Sequence, residues 1–124
     1  PYSYIFKSDL FILTSLYEGL PNVLLEAQAL KKFIISSNCQ TGPKEILSAG
    51  KYGELFNVGN YNQLSNKISY FYKNQKKSKK KINLGYKKLF RFNFKNNCNQ
   101  YLKTIIKFLK IYEKKKINYI SSIF

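Results

Sequence analysis

Two glutamates, Glu18 and Glu26, bracket the start of an apolar segment in Ser15-Leu16-Tyr17-Glu18-Gly19-Leu20-Pro21-Asn22-Val23-Leu24-Leu25-Glu26-Ala27. An ionised carboxylate only accepts hydrogen bonds, and it can take two neighbouring hydroxyls at once. Carboxylates are rarely buried without a partner. Two of them among residues that otherwise want a core therefore leave two readings. Either the stretch fits a ligand, or Glu18 is a helix N-terminal acid and Glu26 a solvated helix residue sharing a face with Asn22.

The elements around the acids determine where they can point. Asp9 to Thr14 is a short apolar run without alternation, which predicts a strand of a parallel sheet buried on both faces. A tight turn follows, and Pro21 or Asn22 opens a helix, since proline suits a first helical turn. Phe33 to Ser37 predicts a second strand, Pro43 to Leu47 a short helix ended by Gly50, and Tyr52 to Val58 a third strand. Strand and helix alternating in this way is the pattern of an α/β layer fold. Ligands in such sheets sit beyond the carboxyl ends of the strands, where the turn from Thr14 to Pro21 lies. A helix start there offers free N–H groups and a positive dipole end to an anion. Gly19 permits close approach of backbone to ligand.

Further along, helices take over. Residues 1–8 are read as a short helix with Tyr4 and Ile5 inward. Tyr61, Leu64, Ile68, Phe71 and Tyr72 recur at helical spacing, the lysine run 76–81 reads as a junction or loop, and residues 82–92 as a helix weakened by Gly85. Arg91 to Phe94 reads as a loop. A last helix spans about Asn96 to Lys116, with Leu102, Ile105, Ile106, Leu109 and Tyr112 on its apolar face. The apolar tail 117–124 is assigned to no element, disorder being one reading of it.

Composition narrows the chemistry. The 124 residues include no histidine and two isolated cysteines, Cys39 and Cys98. A zinc site or a histidine-based acid–base pair is thereby disfavoured in this chain. Two lone thiols suit a reducing cytoplasm and are read as inert packing groups, with a single Cys39–Cys98 bridge left open. No apolar run is long enough to span a bilayer. Pro1 opens directly on amphipathic sequence, so the chain reads as a piece of a longer one. The net charge of +16 is unevenly placed. Residues 1–58 balance Lys7, Lys31, Lys32, Lys44 and Lys51 against Asp9, Glu18, Glu26, Glu45 and Glu54, and all the excess lies beyond, where Glu113 is the one acid.

The stretch Glu18 to Ala27 resembles the Glu-x7-Glu motif of retaining GT-B glycosyltransferases, the large glycosyltransferase family 4. Ser8 to Ser15 is similar to the strand that precedes that motif, and Thr41-Gly42-Pro43-Lys44-Glu45-Ile46-Leu47 with Gly50-Lys51-Tyr52-Gly53 to the loop, helix and turn that follow it. Glu-Gly-Leu-Pro-Asn is similar to a subgroup that builds bacterial surface polysaccharides and lipid-linked oligosaccharides. The resemblance covers residues 1 to about 66 closely and the remainder in general form.

The resemblance implies a partial Rossmann-like α/β domain, the GT-B C-terminal one, with a short parallel sheet followed by basic helices. Residues 1–60 would be its nucleotide-sugar-binding part and 61–124 the amphipathic helices that complete it. Glu26 would hold the ribose of a nucleotide diphosphate sugar, most commonly a UDP-sugar. Glu18 would act at the donor sugar, supporting positive charge at the anomeric carbon. Amides of Gly19, Leu20, Asn22 and Val23 would face sugar and phosphate, and Thr41 and Gly42 would shape a loop over the donor. No metal or other cofactor is implied. The acceptor would be a glycan or a lipid-linked glycan, and the isolated 124 residues are expected to be inactive.

The basic half admits other partners. Lysines with interleaved aromatics could suggest nucleic acid, but the aromatics follow helical apolar faces and Arg91 is the sole arginine, so no nucleic acid is expected. An anionic membrane surface, on the inner face of the cytoplasmic membrane, and plainly solvated lysines both remain open. A basic nucleic-acid- or membrane-binding module and an inactive truncated glycosyltransferase are the alternative functions.

Overall fold

The computed structural model describes the backbone of residues 2–121 and the side chains of residues 2–112. The chain forms two compact units, Pro1–Leu89 and Phe90–Phe124.

The first unit is built on three parallel strands in the order β1 (Leu10–Leu13), β2 (Phe33–Ser37) and β3 (Glu54–Phe56). Leu10 pairs with Phe33, and Ile35 with Glu54. Around them run α1 (Tyr2–Lys7), α2 (Asn22–Ala29), α3 (Pro43–Ile46), α4 (Tyr61–Lys73) and α5 (Gln75–Lys88). This is the α/β fold with a short parallel sheet that the sequence predicts.

Central β2 is buried at every position, its apolar residues Phe33, Ile34 and Ile35 and also Ser36 and Ser37, whose hydroxyls donate to backbone carbonyls. Phe33 and Ile35 share one face by strand alternation and form a core with Phe56 and Phe71, flanked by Leu10, Leu64, Ile68 and Ile82. The rings of Phe33 and Phe71 stack at 5.0 Å, joining the sheet to α4. Leu24 and Ala27 of α2, with Ile46 and Leu47 at α3, are fully buried. A partly buried ion cluster closes the far side. Glu54 accepts from Lys67 Nζ at 2.7 Å and from Lys81 Nζ, and Lys81 also donates to the carbonyls of Gly50 and Gly53.

Several expectations are corrected. β1 pairs only with β2 among the described residues, and Ile12 is 37% exposed, so β1 is an edge strand and not one covered on both faces. Tyr4 is 82% exposed while Ile5 is buried, because a six-residue helix has one inward face and Tyr4 lies about 100° from it. Tyr61 and Tyr72 likewise point outward from α4. The lysine run 76–81 is helical, since lysine is a good helix former. The junction lies one residue earlier than α5, at Asn74. Gly85 does not weaken α5 at random. A Cβ there would lie 3.0 Å from Gln28 Nε2 and 3.2 Å from Tyr52 Cβ, so glycine permits close approach to α2. Helix α3 ends at left-handed Ser48 and Ala49, ahead of Gly50.

A 3-10 turn, Leu89–Phe92, runs from the last residue of the first unit into the second, which holds the long helix α6 (Phe94–Ser121). The segment read as a loop is thus largely helical. Leu102, Ile105, Ile106, Leu109 and Tyr112 are all exposed on α6. The backbone of residues 117–121 continues α6, and the rest of the expected tail, 122–124, lies outside the described residues.

Candidate functional site

Glu18 reaches the carboxyl edge of the sheet because β1 ends at Leu13 and α2 begins only at Asn22. The turn between them carries Glu18 and Gly19, and the first turn of α2 follows directly. Pro21 has extended backbone (φ −70°, ψ 100°) and no side chain caps the helix start. The N–H groups of Asn22 and Val23 therefore have no intrahelical acceptor and no capping side chain.

Glu18 is half-buried and fixed. Ser15 Oγ donates to Glu18 Oε1 at 2.6 Å, and Thr41 Oγ1 donates to the Glu18 carbonyl at 2.5 Å. Ser15 is held in turn through its carbonyl, which accepts from Ser37 Oγ at 2.7 Å and from Cys39 Sγ at 3.0 Å. The loop after β2 thus grips the loop after β1, as adjacent parallel strands bring their carboxyl ends together. Gly42 completes this grip. Its φ is +84°, and an added Cβ would fall 2.0 Å from the Gly19 carbonyl oxygen and 2.6 Å from Pro21 Cδ. Only glycine allows that contact. Gly19, by contrast, has open space where a Cβ would sit.

Glu26 stands on the partly exposed side of α2, whose opposite face buries Leu24, Ala27 and Gln28. Its Oε1 accepts from Tyr2 Oη at 3.2 Å. The shared proton and the adjacent negative charge hold the Tyr2 phenol above its ordinary range. Asn22, Leu20 and Thr41 are exposed, Val23 is half-buried, and Gly42 is buried.

Thr41 and Gly42 are brought onto Glu18 and Gly19, while Glu26 lies further along α2. Sequence reasoning assigned no role to Ser15, Ser37 or Tyr2 and read Cys39 as a packing thiol. Cys39 and Cys98 are free thiols, and buried Cys39 helps hold the Ser15 carbonyl as well as packing. Parallel topology was the available signal for Ser37 and Cys39, since residues just past β2 must neighbour those just past β1.

The sequence model described as "Glycosyl transferases group 1" matches residues 1–88. The chain belongs to this glycosyltransferase family. An uncharacterized glycosyltransferase of Methanocaldococcus jannaschii is 47% identical over 47 residues, covering 38% of this chain and 12% of that protein. The N-acetylgalactosamine-N,N'-diacetylbacillosaminyl-diphospho-undecaprenol 4-alpha-N-acetylgalactosaminyltransferase of Campylobacter jejuni is 29% identical over 90 residues, covering 65% of this chain and 25% of that protein. The chain therefore spans a quarter or less of these two relatives. Among solved structures, Anabaena HepE in complex with UDP superposes with a TM-score of 0.72 at 20% identity, covering 84% of this chain and 29% of HepE. That likeness is one of fold.

Proposed function

We propose that this glycosyltransferase chain is the donor-binding portion of a retaining GT-B enzyme. It would transfer a hexose or N-acetylhexosamine from a nucleotide diphosphate sugar, a UDP-sugar above all, to a glycan or lipid-linked acceptor. The observation that carries the reading is the placement of Glu18 and Glu26 on either side of an uncapped helix start at the carboxyl edge of the sheet. Glu26 already accepts from one hydroxyl, that of Tyr2, which is the kind of contact a ribose hydroxyl makes. The free N–H groups of Asn22 and Val23 suit a diphosphate. Glu18, fixed by Ser15, would stabilise positive charge developing at the anomeric carbon.

The names of relatives support the substrate classes. The Campylobacter protein is named for a diphospho-undecaprenol acceptor, and a second relative, from Salmonella typhimurium, is a lipopolysaccharide 1,6-galactosyltransferase. A role in bacterial surface polysaccharide or lipid-linked oligosaccharide synthesis follows, at the inner face of the cytoplasmic membrane. No described helix is long and apolar enough to cross a membrane. Attachment would be peripheral, through the lysines of residues 59–124.

Steady-state kinetics of a full-length enzyme carrying these residues tests the roles. Glu26→Ala should chiefly raise KM for the donor and Glu18→Ala chiefly lower kcat. The reverse pattern would refute the assignment. An inverted anomeric centre in the product, read by NMR, would remove the retaining mechanism.

A further inference from the structure

The amino edge of the sheet carries a second candidate site. Ser8 and Asp9 precede β1 and Lys31 and Lys32 precede β2, and these residues line one wall of a cavity of about 670 Å³. The first turn of α5 and the end of α4 line the other. Strand β2 is five residues long, so this cavity lies roughly 16 Å from the carboxyl edge that carries Glu18.

Lys31, Lys32, Lys76 and Lys79 line the cavity, with Asp9 as its single carboxylate. Two of the four are anchored. Lys31 Nζ sits 4.5 Å from the centre of the Tyr86 ring, and Lys32 Nζ donates to the Phe6 carbonyl at 2.6 Å. Each keeps further N–H donors free. Lys76 and Lys79 stand on one face of α5, three residues apart, and neither is ion-paired among the described residues. A concave lining in which one sign of charge predominates concentrates counter-ions more than scattered surface lysines do. Phe71, Tyr72 and Ile82 supply an apolar wall beside the charge.

The backbone at Lys31 strengthens the case. Lys31 has φ +54°, and the bonds Lys31 N–H to Gln28 O and Lys32 N–H to Ala27 O form a Schellman ending for α2. Glycine is the usual residue there, because a side chain costs energy in left-handed backbone. Lysine occupies the position instead and lines the cavity, its ammonium against the Tyr86 ring.

We infer that this cavity binds the phosphate group of a phosphate ester whose neighbouring apolar part rests on Tyr72 and Ile82. The ester is a soluble metabolite or a lipid headgroup. This site is separate from the donor site and does not rest on the donor reading.

The test uses the whole chain, inorganic phosphate, and vesicles of phosphatidylglycerol or of phosphatidylcholine. Phosphate binding is followed by calorimetry and vesicle binding by flotation. Lys76→Gln with Lys79→Gln removes two exposed cavity cations, and Lys44→Gln with Lys51→Gln removes the same charge from exposed positions outside the cavity. The cavity pair should weaken phosphate or phosphatidylglycerol binding by roughly tenfold per lysine, the control pair by less than twofold. Phosphate binding without vesicle binding assigns a soluble ester. Capture by phosphatidylglycerol vesicles that phosphate competes away assigns a headgroup. Equal weakening by both pairs, or no binding of either probe by the wild type, overturns the proposal.

Discussion

Ser15 Oγ donates to Glu18 Oε1 at 2.6 Å, closing the turn between β1 and α2 on its own acid. The bond orients a half-buried carboxylate that the turn alone would leave free to rotate. Ser15→Ala removes a hydrogen bond to a charged group, an effect of about 1.5–3 kcal/mol when fully expressed. In a full-length enzyme, kcat should fall about tenfold or more with little change in donor KM. An unchanged kcat would show that Glu18 needs no such orientation.

Gly42 and Gly19 make a matched pair of substitutions. A Cβ on Gly42 would overlap the Gly19 carbonyl, and its φ of +84° disfavours any side chain. Gly42→Ala should cost about 2 kcal/mol or more in denaturant unfolding. Gly19→Ala meets open space and should stay within about 0.5 kcal/mol of wild type. Similar midpoints for the two variants would mean that the loop after β2 does not rest on the turn.

Glu54 should make stability acid-sensitive. Burial pushes its carboxyl up, but the hydrogen bonds and charges of Lys67 and Lys81 outweigh that, leaving it below the ordinary value of 4.5. A lowered folded pKa means the contribution is fully present above the unfolded value and lost as pH falls through the folded one. Near neutrality Glu54→Gln should destabilise by about 1–3 kcal/mol. The gap between wild-type and variant Tm should then narrow as pH drops below about 4.3. A gap constant from pH 7 to pH 3 contradicts the ion cluster.

Gly85 tests the approach of α5 to α2. Gly85→Ala gains about 1 kcal/mol of helix propensity against a tight contact with Gln28 and Tyr52, and should change stability little. Gly85→Leu cannot be accommodated and should cost about 1–3 kcal/mol. Equal thermal melts for the two would place the helices further apart.

Legibility in the sequence followed the range of the interactions. Phe33 to Ser37 is readable as a strand because a short β-rich run needs only local context. Lys76, Lys77, Lys79 and Lys80 are exposed as their charge suggests, and the run is helical as lysine's own propensity allows. Only the engagement of Lys81 by Glu54, from a strand 27 residues earlier, needs the fold. The acids were found by spacing and resemblance, whereas the bonds of Ser15, Ser37 and Cys39 entered only with the pairing of β1 and β2.

Taken alone, the chain determined the alternation of strand and helix and the family, and it singled out Glu18 and Glu26 as candidates, since each is written in local residue order. Tertiary structure decided the rest. The grip of Thr41 and Gly42 on the turn, the burial of Gly85 against Gln28 and the lining of one cavity by Lys31, Lys32, Lys76 and Lys79 join residues distant in sequence. Such contacts exist only once the sheet and helices pack, because the apolar core, and not any local preference, brings those segments together.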